Sequence, residues 1–204
     1  MAIDFMTGIQ GPKADQKLPV YMTLAQLQQF FSYLESDTDT FALRNETMFK
    51  LLATTGMRRQ ELVDLTWQQL DLEANTLRVI GKRRKERILP LHAIVVPLLH
   101  TYHASLPKER VYASEPIFLS YRHTKMKPHG LHNVFKRLLA SAGLPPERFT
   151  LHHLRHTFAT LLLDEDVDLK TLQEFLGHES LSTTGMYTHI NMKKKREVMA
   201  AWKL

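Results

Sequence analysis

Leu70-Asp71-Leu72-Glu73-Ala74-Asn75-Thr76-Leu77-Arg78-Val79-Ile80 is where the periodicity of this chain changes. Two short apolar-rich runs flank the turn residues Glu73-Ala74-Asn75, so the stretch reads as a β-hairpin. Arg87-Ile88-Leu89-Pro90-Leu91 adds a third strand, joined through the basic tip Lys82-Arg83-Arg84-Lys85-Glu86-Arg87. Proline has no N–H to give to a ladder, so Pro90 puts this strand at an edge or ends it there.

Working outward, the rest is helical. Thr23 opens a helix, with Gln26 completing a capping box, and Leu24, Leu27, Phe30, Phe31 and Leu34 share one face. A second helix covers 41–55 and Gly56 ends it as a C-terminal cap. A short helix follows through Glu61, Leu62 and Leu65. Beyond the strands, helical patterns cover 92–105, 129–142, 151–164, 168–176 and 192–202. The fold class is therefore mainly α with a small antiparallel β-sheet (α+β). Residues 1–20 lack helical period and hold Gly8, Gly11, Pro12 and Pro19, so they read as a linker or tail, leaving 21–204 as one domain.

Composition narrows the function. The 204 residues suffice for one real core, and no apolar run approaches a membrane span. The start Met-Ala-Ile-Asp-Phe is not a signal peptide. There is no cysteine, which removes disulfides, thiolate zinc sites and a thiol nucleophile, and fits a reducing cytoplasm. The formal charge of +6 favours polyanion partners, and the clusters 82–87 and Lys193-Lys194-Lys195-Arg196 concentrate it. No Walker A sequence and no Gly-rich dinucleotide loop occurs. His152 and His156 have the i,i+4 spacing of helical zinc ligands, but the residue after the first is His153 rather than Glu and no carboxylate completes the set. No metal and no cofactor is expected.

His152 and Arg155 are three apart on a strongly periodic helix and share a face, beside the inward Leu151, Leu154 and Phe158. Taken alone, they also fit an ordinary solvated face. Arg58 follows the helix-ending Gly56 and begins the next helix, near free backbone donors that suit an anion. Glu61, one turn on, can orient its guanidinium or form a plain surface ion pair. His178 follows Gly177, and Tyr187 comes nine residues later.

The order and context of these pieces carry more than any one of them. Thr55-Gly56-Met57-Arg58-Arg59-Gln60-Glu61-Leu62, Gly81-Lys82, His152-His153-Leu154-Arg155, Leu176-Gly177-His178 and Tyr187-Thr188-His189 closely resemble the tyrosine recombinase family, the phage-integrase and Xer-like enzymes. The resemblance spans about 55–189. It implies that family's catalytic-domain fold and a site made of Arg58, Lys82, His152, Arg155, His178 and Tyr187, with Glu61 supporting. Lys85 competes with Lys82, because the family often carries Gly where this chain has Arg83. Arg83, Arg84, Lys85 and Arg87 are candidate DNA contacts.

That set suits attack by a tyrosine hydroxyl on a phosphodiester. Guanidiniums bind non-bridging oxygens most tightly as transition-state charge develops. A histidine takes the phenolic proton, and lysine protonates the leaving 5′ oxygen. The implied partner is double-stranded DNA, bound by a monomer in solution that forms a tetramer of protomers on paired sites, in a prokaryotic cytoplasm. The 192–202 helix, with Val198, Met199 and Trp202 on one side, is expected to dock on a neighbouring protomer. The family's N-terminal DNA-clamping domain has no room here. Type IB topoisomerases use a similar residue set, so DNA relaxation is the alternative activity. A non-catalytic DNA-binding protein is a third reading, against which the full residue set argues.

Overall fold

A computed structural model describes residues 20–81, 85–165, 167–177 and 192–202, with 192–195 described as helix backbone only. The 1–20 linker or tail thus lies, but for Val20, outside the described residues. The elements are α1 (Leu24–Ser36), α2 (Ala42–Thr55), α3 (Arg59–Val63), β1 (Leu70–Asp71), β2 (Thr76–Ile80), β3 (Glu86–Pro90), α4 (Val96–Ser105), α5 (Pro128–Ser141), α6 (Leu151–Asp164), α7 (Leu169–Leu176) and α8 (Met192–Ala201). Mainly helical architecture with a small sheet is what the periodicity predicts.

α1 starts at the expected box: Gln26 N donates to Thr23 Oγ1 and Thr23 N to Gln26 Oε1, at 3.2 and 3.0 Å. Leu27, Phe30, Phe31 and Leu34 face inward, whereas Leu24, in the first turn, stays exposed. α2 is buried nearly all round, because α1, α4 and α6 all pack on it. Most of its buried polar groups find partners, although Asn45 Nδ2 has none among the described residues. The hydroxyls of Thr47, Thr54 and Thr55 donate one turn back at 2.6–2.8 Å, and buried Lys50 reaches Glu35 and Glu46. Phe30, Phe49 and Phe135 meet between α1, α2 and α5 with centroids 5.5–5.8 Å apart.

The sheet is antiparallel in the order β1-β2-β3. Leu77 pairs with Leu89, and both are buried with Val79; Arg78, Ile80 and Ile88 face outward. Pro90 ends the edge strand, where Leu91 N closes onto Asn75 O at 2.9 Å. α4 begins at Val96 rather than 92, since residues 92–95 form turns and Pro97 fits the first turn of a helix. Leu65 lies beyond α3, where its carbonyl receives Ile117 N.

In the single chain α8 is seated on its own domain by its apolar side: Met199 is 4% and Trp202 3% exposed, with the Trp202 ring 5.6 Å from Phe158. Buried His92 explains the fit. Ile94 N donates to His92 Nδ1, which leaves the proton on Nε2, donated to Trp202 O at 2.9 Å. An apolar stripe shows that a helix is buried, but not against which molecule.

Candidate active site

Gly56 caps α2 in the left-handed region, φ 59°, and also lies against α6. A Cβ there would come 2.4 Å from Phe158 Cδ1, so glycine is required twice over. The tight exit delivers Arg58 to the N-cap of α3, where its own N–H donates to Glu61 Oε2 at 2.7 Å. The side chain is 42% exposed, and its guanidinium donates to Glu61 Oε1 at 3.0 Å and to Gly177 O at 3.3 Å.

α6 carries Arg155 on the wall of the same region. Its guanidinium is almost wholly buried and donates to Gly56 O and Leu176 O, both at 2.6 Å. Burial, then the nearby Arg58, draws it down to about 10, so it keeps its charge at neutral pH. Two of its five N–H groups are used here, which leaves donors for an anion. His152 is exposed, one turn earlier, in a cleft of about 480 Å³ lined also by Arg58, Arg59, His132, Thr150 and Arg155. Desolvation first, then Arg155, lowers the His152 pKa and favours the neutral, proton-accepting ring. His156 packs edge-on to His152, with centroids 4.5 Å apart, and is lowered by burial too. His153 turns away to accept from Thr150 N. Among the described residues, no group of three or more His, Asp or Glu side chains could hold a metal.

The structure thus joins Arg58, His152 and Arg155, from two segments far apart in the chain, around one cleft, with buried Glu61 behind Arg58. Lys82, Arg83, Arg84, His178 and Tyr187 lie outside the described residues. The base of the 82–84 tip is defined: Gly81 N donates to Lys85 O at 2.8 Å, and a side chain at Gly81 would begin 3.5 Å from Glu61 Oε1. Lys85 is exposed. Arg87 corrects the reading of the tip as uniformly DNA-facing. Its side chain is only 10% exposed, with both guanidinium ends on Glu61 at 3.0 and 2.8 Å. The register explains this: β3 alternates, and position 87 turns toward the end of α7 rather than outward. Sequence reasoning also passed over Arg59 and His132. A spacing of 129, 132 and 136 put His132 on a basic stripe of α5, the one signal available.

The sequence model of the phage integrase family matches residues 20–194. The tyrosine recombinase XerD of Halalkalibacterium halodurans is 33% identical over 94% of this chain and 64% of its own length. The XerD of Listeria innocua is 36% identical over 97% of this chain and 67% of its own. The chain thus spans about two thirds or less of these relatives. A crystal structure of the XerH site-specific recombinase bound to difH substrate, a pre-cleavage complex, superposes with a TM-score of 0.69 at 28% identity, covering 92% of this chain and 56% of that one. The cleft with its paired arginines sits in a fold shared with such recombinases, and with a match over most of its length this chain belongs to the phage integrase family.

Proposed function

We propose that this chain is the catalytic domain of a site-specific DNA recombinase, which cuts and rejoins double-stranded DNA through a 3′-phosphotyrosyl intermediate. The observation that carries the reading is the convergence of Arg58 and Arg155 on one cleft beside a histidine whose pKa is lowered. Two guanidiniums with spare donors suit the non-bridging oxygens of a phosphodiester. The Tyr187 oxygen attacks phosphorus and the P–O5′ bond breaks. The phenolic proton passes to His152 or His178, and Lys82, with Lys85 its competitor, protonates the departing 5′ oxygen. Attack by a 5′ hydroxyl on the phosphotyrosine then reseals the strand, because the covalent bond preserves the energy of the broken one. No metal or cofactor enters the step. Exchange between duplexes requires several protomers, which fits a monomer that assembles as a tetramer on paired sites in a prokaryotic cytoplasm.

Tyr102 shows by contrast what a nucleophile needs. It is buried, donates to Ile117 O at 3.0 Å, and is pushed up to about 12 by burial, so it is a structural tyrosine. The test is incubation with a pool of labelled nicked duplexes randomised around the nick, followed by denaturing electrophoresis. The wild-type chain is expected to capture a subset as a covalent adduct, and Tyr187→Phe to capture none while binding DNA as before. An adduct of equal yield in Tyr187→Phe overturns the nucleophile. Relaxation of supercoiled plasmid in excess of recombination would favour the topoisomerase activity instead.

A further inference from the structure

The C-terminal end of α7 is held in an unusual way. Three consecutive carbonyls receive three different guanidiniums: Phe175 O from Arg87 Nε at 2.9 Å, Leu176 O from Arg155 Nη2 at 2.6 Å and Gly177 O from Arg58 Nη2 at 3.3 Å. A helix end has free carbonyls and a negative partial charge, so cations there are favourable. Two of the three arginines belong to the proposed site. The third does not reach the cleft, and no catalytic step uses it.

We propose that Arg87 is a positioning residue for this site: it holds Glu61 so that Arg58 remains available to phosphate. The inference rests on the recombinase reading above. Glu61 is 8% exposed and contacts two arginines. Arg87 takes both carboxylate oxygens from one side, Nη1 on Oε1 and Nη2 on Oε2. Arg58 adds only one guanidinium contact, at 3.0 Å on Oε1, and stays 42% exposed with donors to spare. A buried carboxylate demands full compensation. With Arg87 present, the paired geometry supplies most of it. Without Arg87, Glu61 keeps Arg58 as its cationic partner among the described residues, and the Arg58 charge is spent on the carboxylate rather than offered to the substrate.

Packing around Arg87 supports a built role. The side chain lies flat on Gly177, where a Cβ would come 3.1 Å from Nη1, 3.3 Å from Cδ and 3.4 Å from Cζ. Gly177 also has a left-handed φ of 62°. Glycine here therefore serves both the helix cap and the seat of Arg87. Being on β3, Arg87 also joins the hairpin strand to α3 and α7. A plain surface contact with DNA would need none of these partners.

The test uses the duplex that the wild-type chain captures from the randomised pool, in two forms. One has an ordinary scissile phosphodiester, the other a scissile methylphosphonate, in which a methyl group replaces one charged non-bridging oxygen and leaves less charge for Arg58 to meet. Arg87→Met is expected to slow single-turnover adduct formation at saturating DNA on the order of 100-fold for the phosphodiester, as for a displaced catalytic group. DNA affinity should change by about threefold or less, since Arg87 is not a phosphate contact. On the methylphosphonate the variant should come within a few-fold of wild type. An unchanged phosphodiester rate, or equal losses on both linkages, overturns the proposal. Should Arg87→Met not fold, Arg87→Lys decides: it keeps a cation on Glu61 but loses the two-point geometry, and should lose rate on the phosphodiester while sparing the methylphosphonate. A wild-type rate in Arg87→Lys, or an equal loss on both linkages, overturns it. If the wild-type chain forms no adduct at all, the recombinase reading fails and this role falls with it; if wild type reacts and the Arg87 variants react as fast, only the role of Arg87 fails.

Discussion

The aromatic contact between α1, α2 and α5 is buried, the guanidinium cluster at the end of α7 is buried but for Arg58, and the two obey different rules. Phe30, Phe49 and Phe135 need only apolar surface and volume, and any neighbour of suitable shape would serve. In the cluster, Arg58, Arg87 and Arg155 depend on Glu61 and four particular carbonyls, those of Gly56, Phe175, Leu176 and Gly177, at distances of 2.6–3.3 Å. Removing one partner there leaves another charge or dipole uncompensated. The difference teaches where stability and chemistry are each concentrated: the first region holds the helices together, and the second fixes the direction in which positive charge points.

The sharpest way to break that contrast is Phe49→Ala. It should cost about 3–5 kcal/mol of stability by urea denaturation while leaving the adduct rate per folded molecule unchanged. A large rate loss with intact stability would mean that the two regions are not separable. Trp202→Ala should have a smaller effect, about 2 kcal/mol, because a terminal helix can detach locally. A stability unchanged by that substitution would return α8 to its expected role of docking on a neighbouring protomer.

The smallest effect is one of pH. Burial by itself would raise the Glu61 pKa, but the hydrogen bonds and charge of Arg87, with Arg58, outweigh it and hold the carboxyl below the ordinary range. A depressed folded pKa contributes stability above the unfolded value of about 4.3, and that contribution is lost as pH falls through the folded value. Arg87→Met should therefore lose less stability than wild type between pH 7 and the acid range, measured by urea midpoints. Parallel acid losses in the two proteins would show that Arg87 does not set the state of Glu61.

How much was legible follows the same division. The Thr23 cap, the face through Leu27, Phe30 and Leu34, the β2–β3 pairing and the edge position of Pro90 rest on local rules of period, capping and donor count, and were readable. Motif resemblance named Arg58, His152 and Arg155, and the structure brings them to one cleft. Arg87 was misread because a run of basic residues looks solvated whichever way its strand faces. The seat of the Trp202 face in the single chain was not readable, because a hydrophobic stripe does not specify its partner.

By itself, then, the sequence determined the helical class, the central hairpin, the family resemblance and the chemical types available to the site. Tertiary structure alone decided that Arg87 turns inward onto Glu61, that three arginines share the carbonyls of Phe175, Leu176 and Gly177, and that Trp202 fills its own domain beside His92. The physical reason is range. Caps, turns and periodicity act over a few residues, whereas a buried guanidinium is satisfied by whatever carboxylate and carbonyls the packing of distant helices brings within about 3 Å.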